Sequence, residues 1–165
     1  MINIVIPMAG RGSRFADVGY ELPKPLINVS GRPMIEWVVE NISPSVLHKL
    51  IFIVQREHCE KYDLTSKLKA ISNNCEIVMI DGITEGAACT VLCARQFIDN
   101  DTPLMIANSD QWIDISIDEY LNAWNIDKYM GHIMTMKSDH PKWSYIKFND
   151  SGAVCDVIEK VVVSD

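Results

Sequence analysis

Residues 4–15 read Ile4-Val5-Ile6-Pro7-Met8-Ala9-Gly10-Arg11-Gly12-Ser13-Arg14-Phe15, and Pro23-Lys24-Pro25-Leu26 follows a few residues later. The run from Ile2 to Met8 is almost wholly apolar, the pattern of a strand buried on both faces, as in a parallel sheet. It passes straight into a glycine turn that carries two arginines. Glycines let backbone N–H groups approach a ligand, and fixed cations neutralise phosphate, so this end of the strand suits a polyphosphate such as a nucleoside triphosphate.

Working outward, apolar strands and amphipathic helices alternate. Pro33 opens a helix over 34–42, with Ile35, Val38, Val39 and Ile42 spaced three and four apart. Strands are expected over 49–54, 75–80 and 103–107, and helices over 57–71, 86–98 and 118–125. Further strands are expected over 132–136, 144–148 and 153–158, the last two joined as a hairpin by Asn149-Asp150-Ser151-Gly152. Alternation of this kind predicts an α/β fold: a three-layer α/β/α sandwich with a mostly parallel, Rossmann-like sheet. In such sheets ligands sit at the carboxyl ends of the strands. Both the glycine turn and Asp110, which follows the strand at 103–107, fall at that edge.

Composition narrows the function classes. The chain has 165 residues, 48% hydrophobic and 22% charged, with a net charge of −7. That is enough for one domain with a real core and is unlike a disordered chain. The acidic balance argues against duplex nucleic acid as a partner. Positive charge is instead concentrated locally, in Arg11, Arg14, Lys24 and Arg32. No apolar run approaches the ~20 residues needed to cross a bilayer, and with no basic region ahead of it the first apolar stretch is expected to be a strand and not a signal peptide. Five cysteines without a Cys-x-x-Cys pattern predict free thiols in a reducing cytoplasm, with Cys89 and Cys93 packed in the core. His48, His58, His132 and His140 have no metal-ligand spacing and read as structural or exposed.

The glycine turn has rivals. A dinucleotide fingerprint needs a third glycine where Phe15 stands, and a Walker loop needs Gly-Lys-Ser/Thr. Neither pattern is complete, which disfavours a hydride-transfer enzyme. Ser13 has no His/Asp arrangement around it that would support hydrolase chemistry.

The segment Ala9 to Phe15 together with Pro23-Lys24-Pro25-Leu26 resembles the signature of the sugar-1-phosphate nucleotidylyltransferases. The resemblance continues at Gly86-Ala87-Ala88-Cys89-Thr90-Val91-Leu92, at Asn108-Ser109-Asp110 and at Val157-Ile158-Glu159-Lys160, in the family's order. It implies transfer of a nucleoside monophosphate from a triphosphate to a phosphorylated acceptor, with release of pyrophosphate. The expected acceptor is a sugar 1-phosphate, and within the family the chain looks like the smaller bacterial members tied to capsule or surface-polysaccharide assembly. A CTP-using enzyme with a phosphocholine-type acceptor, and a non-catalytic binding module, remain the alternatives.

The resemblance also assigns residues. Ala9, Gly10, Arg11, Gly12 and Ser13 would cradle the triphosphate. Arg14 would hold the leaving pyrophosphate with its always-charged guanidinium. Lys24, fixed between two prolines, would neutralise the α-phosphate. Asp110 would ligate Mg²⁺. Gly86 would admit the base, with Asp81 and Glu85 as alternative readers of its edge. Glu159 and Lys160 would meet the acceptor. A homo-oligomer is compatible with all of this. The family's second metal-binding aspartate is expected beyond Asp165, so the expectation is one nucleotidyltransferase domain over 1–165, incomplete at its C-terminal end.

Overall fold

The computed structural model describes residues 1–10, 12, 15, 17–125 and 127–159. They form two compact units, Met1–Ala123 and Trp124–Asp165.

The first unit is built on a four-stranded parallel sheet. Its strands are β1 (Ile2–Pro7), β4 (His48–Gln55), β5 (Glu76–Ile80) and β6 (Leu104–Ile106), in the order β5-β4-β1-β6. A small antiparallel pair, β2 (Asn28–Val29) and β3 (Arg32–Pro33), precedes the first long helix. Alternation along the central strands sends one set of side chains to each face. Ile4, Ile6, Leu50, Phe52 and Val54 pack under Ile35, Val38, Val39 and Ile42 of α1 (Met34–Ile42), joined by Cys59 of α2 (Arg56–Tyr62) and by Leu64 and Leu68 of α3 (Leu64–Ile71). Val5, Ile51 and Ile53 face the other way, against Val91 of α4 (Ala87–Leu92), Ala94, and Phe97 and Ile98 of α5 (Arg95–Ile98). Asn3 is buried on that second face and donates to the Phe97 carbonyl at 3.2 Å, so the polar side chain is satisfied. Helices thus cover both faces of a parallel sheet, and the three-layer, Rossmann-like reading holds.

The chain runs β1, β4, β5 outward in one direction, then returns to place β6 on the other side of β1. The reversal lies between β1 and β6, and a crevice opens at the carboxyl ends of two strands whose connections diverge.

Three expectations change. The helix expected over 57–71 is two helices, broken at Asp63, which sits in the left-handed region at φ 50°, ψ 43°; aspartate is among the few residues that tolerate this. The helix expected over 86–98 also breaks, because Cys93 and Ala94 donate to the carbonyls three residues back and Ala94 leaves helical geometry. Cys89 and Cys93 are exposed rather than packed, and Leu92 is 63% exposed, since only Thr90 and Val91 of α4 turn inward. The strand expected over 132–136 does not form: those residues join no ladder among the described residues. α6 (Ile117–Asn122) closes the first unit.

The second unit contains the expected hairpin, β7 (Ser144–Phe148) with β8 (Val154–Glu159). Its turn is fixed by the Asn149 carboxamide oxygen, which accepts from the Ser151 and Ala153 backbone N–H groups at 3.1 and 3.0 Å. Gly152 takes the positive φ of 77° that the turn demands.

Candidate functional site

The site is assembled where β1 and β6 end. β1 leads into Met8 and Ala9, both buried, and then the glycine turn. Gln55, the last residue of β4, donates its side-chain amide to the Ala9 carbonyl at 2.8 Å and ties the base of the turn to the neighbouring strand. Gly12 has φ +60°, where a side chain is strained, and a Cβ there would stand 3.6 Å from the Cβ of Lys24. A Cβ on Gly10 would meet nothing within 4 Å. The space above Gly10 is therefore open to a ligand, and its backbone is not in the left-handed region.

Lys24 opens a short 3₁₀ turn, Lys24–Leu26, whose Pro25 and Leu26 are buried. Burial of the next two residues and the proline on each side fix where the lysine stem starts. Its ammonium forms an ion pair with the Asp110 carboxylate and lies 5.3 Å from the centre of the Phe15 ring. Asp110 comes just after β6, on a loop that Asn41 of α1 anchors: its amide donates to the Ile113 carbonyl at 2.9 Å and accepts from the Ile113 N–H at 2.8 Å. Two motifs 86 residues apart in sequence thus meet in one contact.

A cavity of about 270 Å³ adjoins this pair, lined by Gly10, Gly12, Lys24 and Ser109, with His58 and Tyr62 of α2. The Tyr62 hydroxyl donates to the Glu21 carbonyl at 3.0 Å and steadies the segment that leads into Lys24. Burial holds the His58 imidazole below its ordinary pKa; the nearby Glu57 carboxylate opposes this and Lys61 adds to it.

A second constellation lies at the end of β5. Arg56, the first residue of α2, donates from Nε to the Asp81 carboxylate at 2.8 Å, a hydrogen bond that raises the guanidinium's pKa further. The Gly86 carbonyl accepts from the hydroxyls of Thr84 and Thr90, each at 3.1 Å, and from the Thr90 N–H at 3.0 Å. The peptide at Gly86 is thereby pinned. Gly86 itself has extended backbone, and a Cβ there would meet nothing within 4 Å. Glu85 is exposed beside it.

Other sequence candidates are placed as follows. Arg11, Ser13, Arg14 and Lys160 lie outside the described residues. Glu159 is the last residue of β8, opposite Ser144 in the second unit. Arg32 does not join the other cations: its guanidinium pairs with Glu40, stacks 3.5 Å over the Trp37 ring and lines a separate cavity of about 570 Å³ between α1 and α3. Gln55, His58, Tyr62, Asn41 and Thr84 belong to the two constellations without having stood out in the sequence; Thr90 lies within the Gly86–Leu92 motif but was given no role there. Each is a single polar residue whose spacing carries no signal; only Tyr62 and His58, one helical turn apart, share a pattern.

The donor set bears on a metal. Among the described residues no three histidine, cysteine or acidic side chains cluster as a cation cage. Asp110 offers one hard carboxylate beside an open anion cavity. That arrangement fits Mg²⁺, which takes one or two carboxylates and fills its shell with phosphate oxygens and water. No helix among the described residues is long and apolar enough to cross a membrane.

Residues 4–161 match the family model described as Nucleotidyl transferase. The chain is similar to the bifunctional protein GlmU of Methanococcus maripaludis strain C5, 25% identical over 162 residues that cover 96% of this chain and 36% of that protein. It is also similar to the 2-aminoethylphosphonate cytidylyltransferase of Lancefieldella rimae, 28% identical over 111 residues, covering 60% of this chain and 44% of that one. Among solved structures it resembles the nucleoside-diphosphate-sugar pyrophosphorylase of Vibrio cholerae RC9, with a TM-score of 0.75 and 25% identity over 98% of this chain and 68% of that chain. The chain spans about a third of the length of the GlmU relatives it matches.

Proposed function

The chain belongs to the nucleotidyl transferase family, and on that premise we propose that it joins a nucleoside monophosphate to a phosphorylated acceptor, a sugar 1-phosphate, with release of pyrophosphate. The observation that carries the reading is the Lys24–Asp110 pair at the β1/β6 reversal, beside an open cavity walled by the glycine turn. A phosphate oxygen of the acceptor attacks the α-phosphorus. The bond from that phosphorus to the oxygen bridging the β-phosphate breaks, and pyrophosphate leaves with the electron pair. Two anions must be brought together, so positioning and charge stabilisation make up most of the protein's work.

Gly10 and Gly12 present backbone N–H groups to the triphosphate. Lys24 releases Asp110 and turns to the α-phosphate as charge builds there. Asp110, freed of the ammonium, is the carboxylate that would hold Mg²⁺. The metal, when bound, offsets phosphate charge as a Lewis acid. Arg11, Ser13 and Arg14 complete the cradle, with Arg14 on the departing pyrophosphate. The base lies against Gly86, where Asp81 or Glu85 reads its edge, and Glu159 and Lys160 meet the acceptor. The setting proposed is cytoplasmic synthesis of activated precursors for surface polysaccharide, by a protein free to form homo-oligomers.

A second reading is a cytidylyltransferase with a non-sugar acceptor, favoured by the similarity to the Lancefieldella enzyme, whose name specifies a phosphonate. One assay separates these readings from a binding module. Pyrophosphate release is measured for each common nucleoside triphosphate against a panel of sugar 1-phosphates, phosphocholine and 2-aminoethylphosphonate, with and without Mg²⁺. Release that needs both Mg²⁺ and one acceptor establishes the transferase and names its substrates. Nucleotide binding without release for any pair contradicts it.

A further inference from the structure

We infer that His58 is a ligand for the terminal phosphates of the nucleotide, the two that depart as pyrophosphate. The inference rests on the transferase reading above and adds a residue that none of the sequence motifs contains.

The cavity at the glycine turn, about 270 Å³, is smaller than the ~300–1,000 Å³ typical of sites for whole drug-sized ligands. The loop at Asp81–Gly86 contributes no residue to its lining. A nucleotide whose base lies on that loop thus has only its phosphate end to place in this cavity. Gly10, Gly12, Lys24, Ser109 and His58 converge there. Lys24 is held by Asp110. The imidazole is the remaining nitrogen-bearing side chain among the lining residues.

The ring is held but uncommitted. It packs edge-on against Tyr62, centroids 6.2 Å apart at 62°. Tyr62 is in turn fixed by its bond to the Glu21 carbonyl. Neither ring nitrogen of His58 has a hydrogen-bond partner among the described residues. A half-buried imidazole fixed in the wall of an anion cavity, with both nitrogens unpaired, is a donor awaiting an acceptor. Burial lowers the ring's pKa below its ordinary value and so disfavours the imidazolium. The charged groups around it are Glu57 and Lys61 on its own helix and Glu21 and Lys24 across the cavity, with the Tyr62 phenol beside it. An entering polyphosphate outweighs burial and favours the imidazolium, so binding takes up a proton.

The test follows the His58 Cε1 proton by NMR on the full chain, titrated between pH 5 and 8.5 with and without inorganic pyrophosphate, with and without Mg²⁺. The four histidines are assigned by single substitution. Pyrophosphate is expected to move the His58 titration to higher pH and leave His48, His132 and His140 in place. An unchanged His58 titration at saturating pyrophosphate overturns the inference. Affinity supplies the second readout. His58→Phe keeps the ring packed on Tyr62 and removes both nitrogens; it is expected to bind pyrophosphate five- to tenfold more weakly at pH 6, with a smaller loss at pH 8. His58→Gln, a donor without charge, is expected to fall between at pH 6. Equal affinity for wild type and His58→Phe at both pH values also overturns the assignment. If wild type transfers nucleotide while His58 responds to nothing, only this inference fails. If wild type neither transfers nucleotide nor binds pyrophosphate, the functional reading fails with it.

Discussion

Lys24 and Asp110 form an ion pair that joins the turn after the glycine loop to the residue just past β6. Their side chains are 28% and 34% exposed. Solvent screens a pair in that setting, so its contribution to folding stability is expected to be about 0.2–1 kcal/mol. Its importance lies in placing a cation and a carboxylate at the sheet's reversal. Lys24→Met and Asp110→Asn are therefore predicted to melt near the wild-type temperature, with a thermal double-mutant cycle giving a coupling in that small range. Each is predicted to lower the transfer rate by about 10²–10³, the scale of losing one stabilising group in a transition state. Melting curves and steady-state rates on the same preparations check both halves.

Gln55 connects β4 to the base of the glycine turn through the Ala9 carbonyl. Gln55→Ala removes the donor from the carbonyl of buried Ala9 and is predicted to cost about 1 kcal/mol in stability. Because the bond fixes the turn, KM for the nucleotide is expected to rise more than KM for the acceptor. Urea denaturation and two-substrate kinetics measure the two effects.

Gly12 tests backbone geometry in isolation. A Cβ there has room, at 3.6 Å from the Lys24 Cβ, but the φ of +60° does not suit it. Gly12→Ala is predicted to lose about 1–2 kcal/mol of stability, to keep its circular dichroism spectrum, and to bind nucleotide more weakly as the turn shifts to relieve strain. An unchanged nucleotide affinity would show that the turn's N–H groups are not part of the cradle.

His58 gives the free protein a pH signature. Its folded-state pKa is lowered from 6.5 chiefly by burial. The neutral ring is thus the form the fold prefers, and the associated stability is complete above pH 6.5 and is lost as pH falls through the folded value. Comparison of wild type with His58→Phe between pH 5 and 8, by denaturant unfolding, is predicted to show a flatter acid limb in the variant. Saturating pyrophosphate is predicted to reduce the difference in slope.

Much of the architecture was legible because it rests on periodicity. The apolar run of β1, the three-and-four spacing of Ile35, Val38, Val39 and Ile42, and the Asn149–Gly152 turn each predict their element. Breaks within helices were not legible. Asp63 ends a helix through one backbone angle, and Ala94 does the same within an apolar stretch that reads as continuous. Exposure of Cys89 and Cys93 reflects which face of α4 turns inward, and spacing alone does not reveal that. At the site, residues marked by composition were visible: two glycines, a lysine between prolines, an aspartate after a strand. Their pairing in space was not, because Lys24 and Asp110 meet only through the order of strands in the sheet. Arg32 misled as a neighbour in sequence of the other cations; a stacked tryptophan and Glu40 hold it elsewhere. Gln55 acts through a single contact that leaves no pattern in the chain, and the one-turn spacing of His58 and Tyr62 does not show that both line the cavity.

The measurement that bears most directly on the central claim follows phosphorus. The triphosphate is labelled with ³²P at the α position in one reaction and at the γ position in another, with Mg²⁺ and the acceptor found in the panel. Nucleotidyl transfer at Lys24 and Asp110 predicts α-label in the acceptor product and γ-label in pyrophosphate, with both appearing about 10²–10³-fold more slowly in Asp110→Asn. Label from the γ position on the acceptor, or α-label that stays in the triphosphate while the triphosphate still binds, would contradict it.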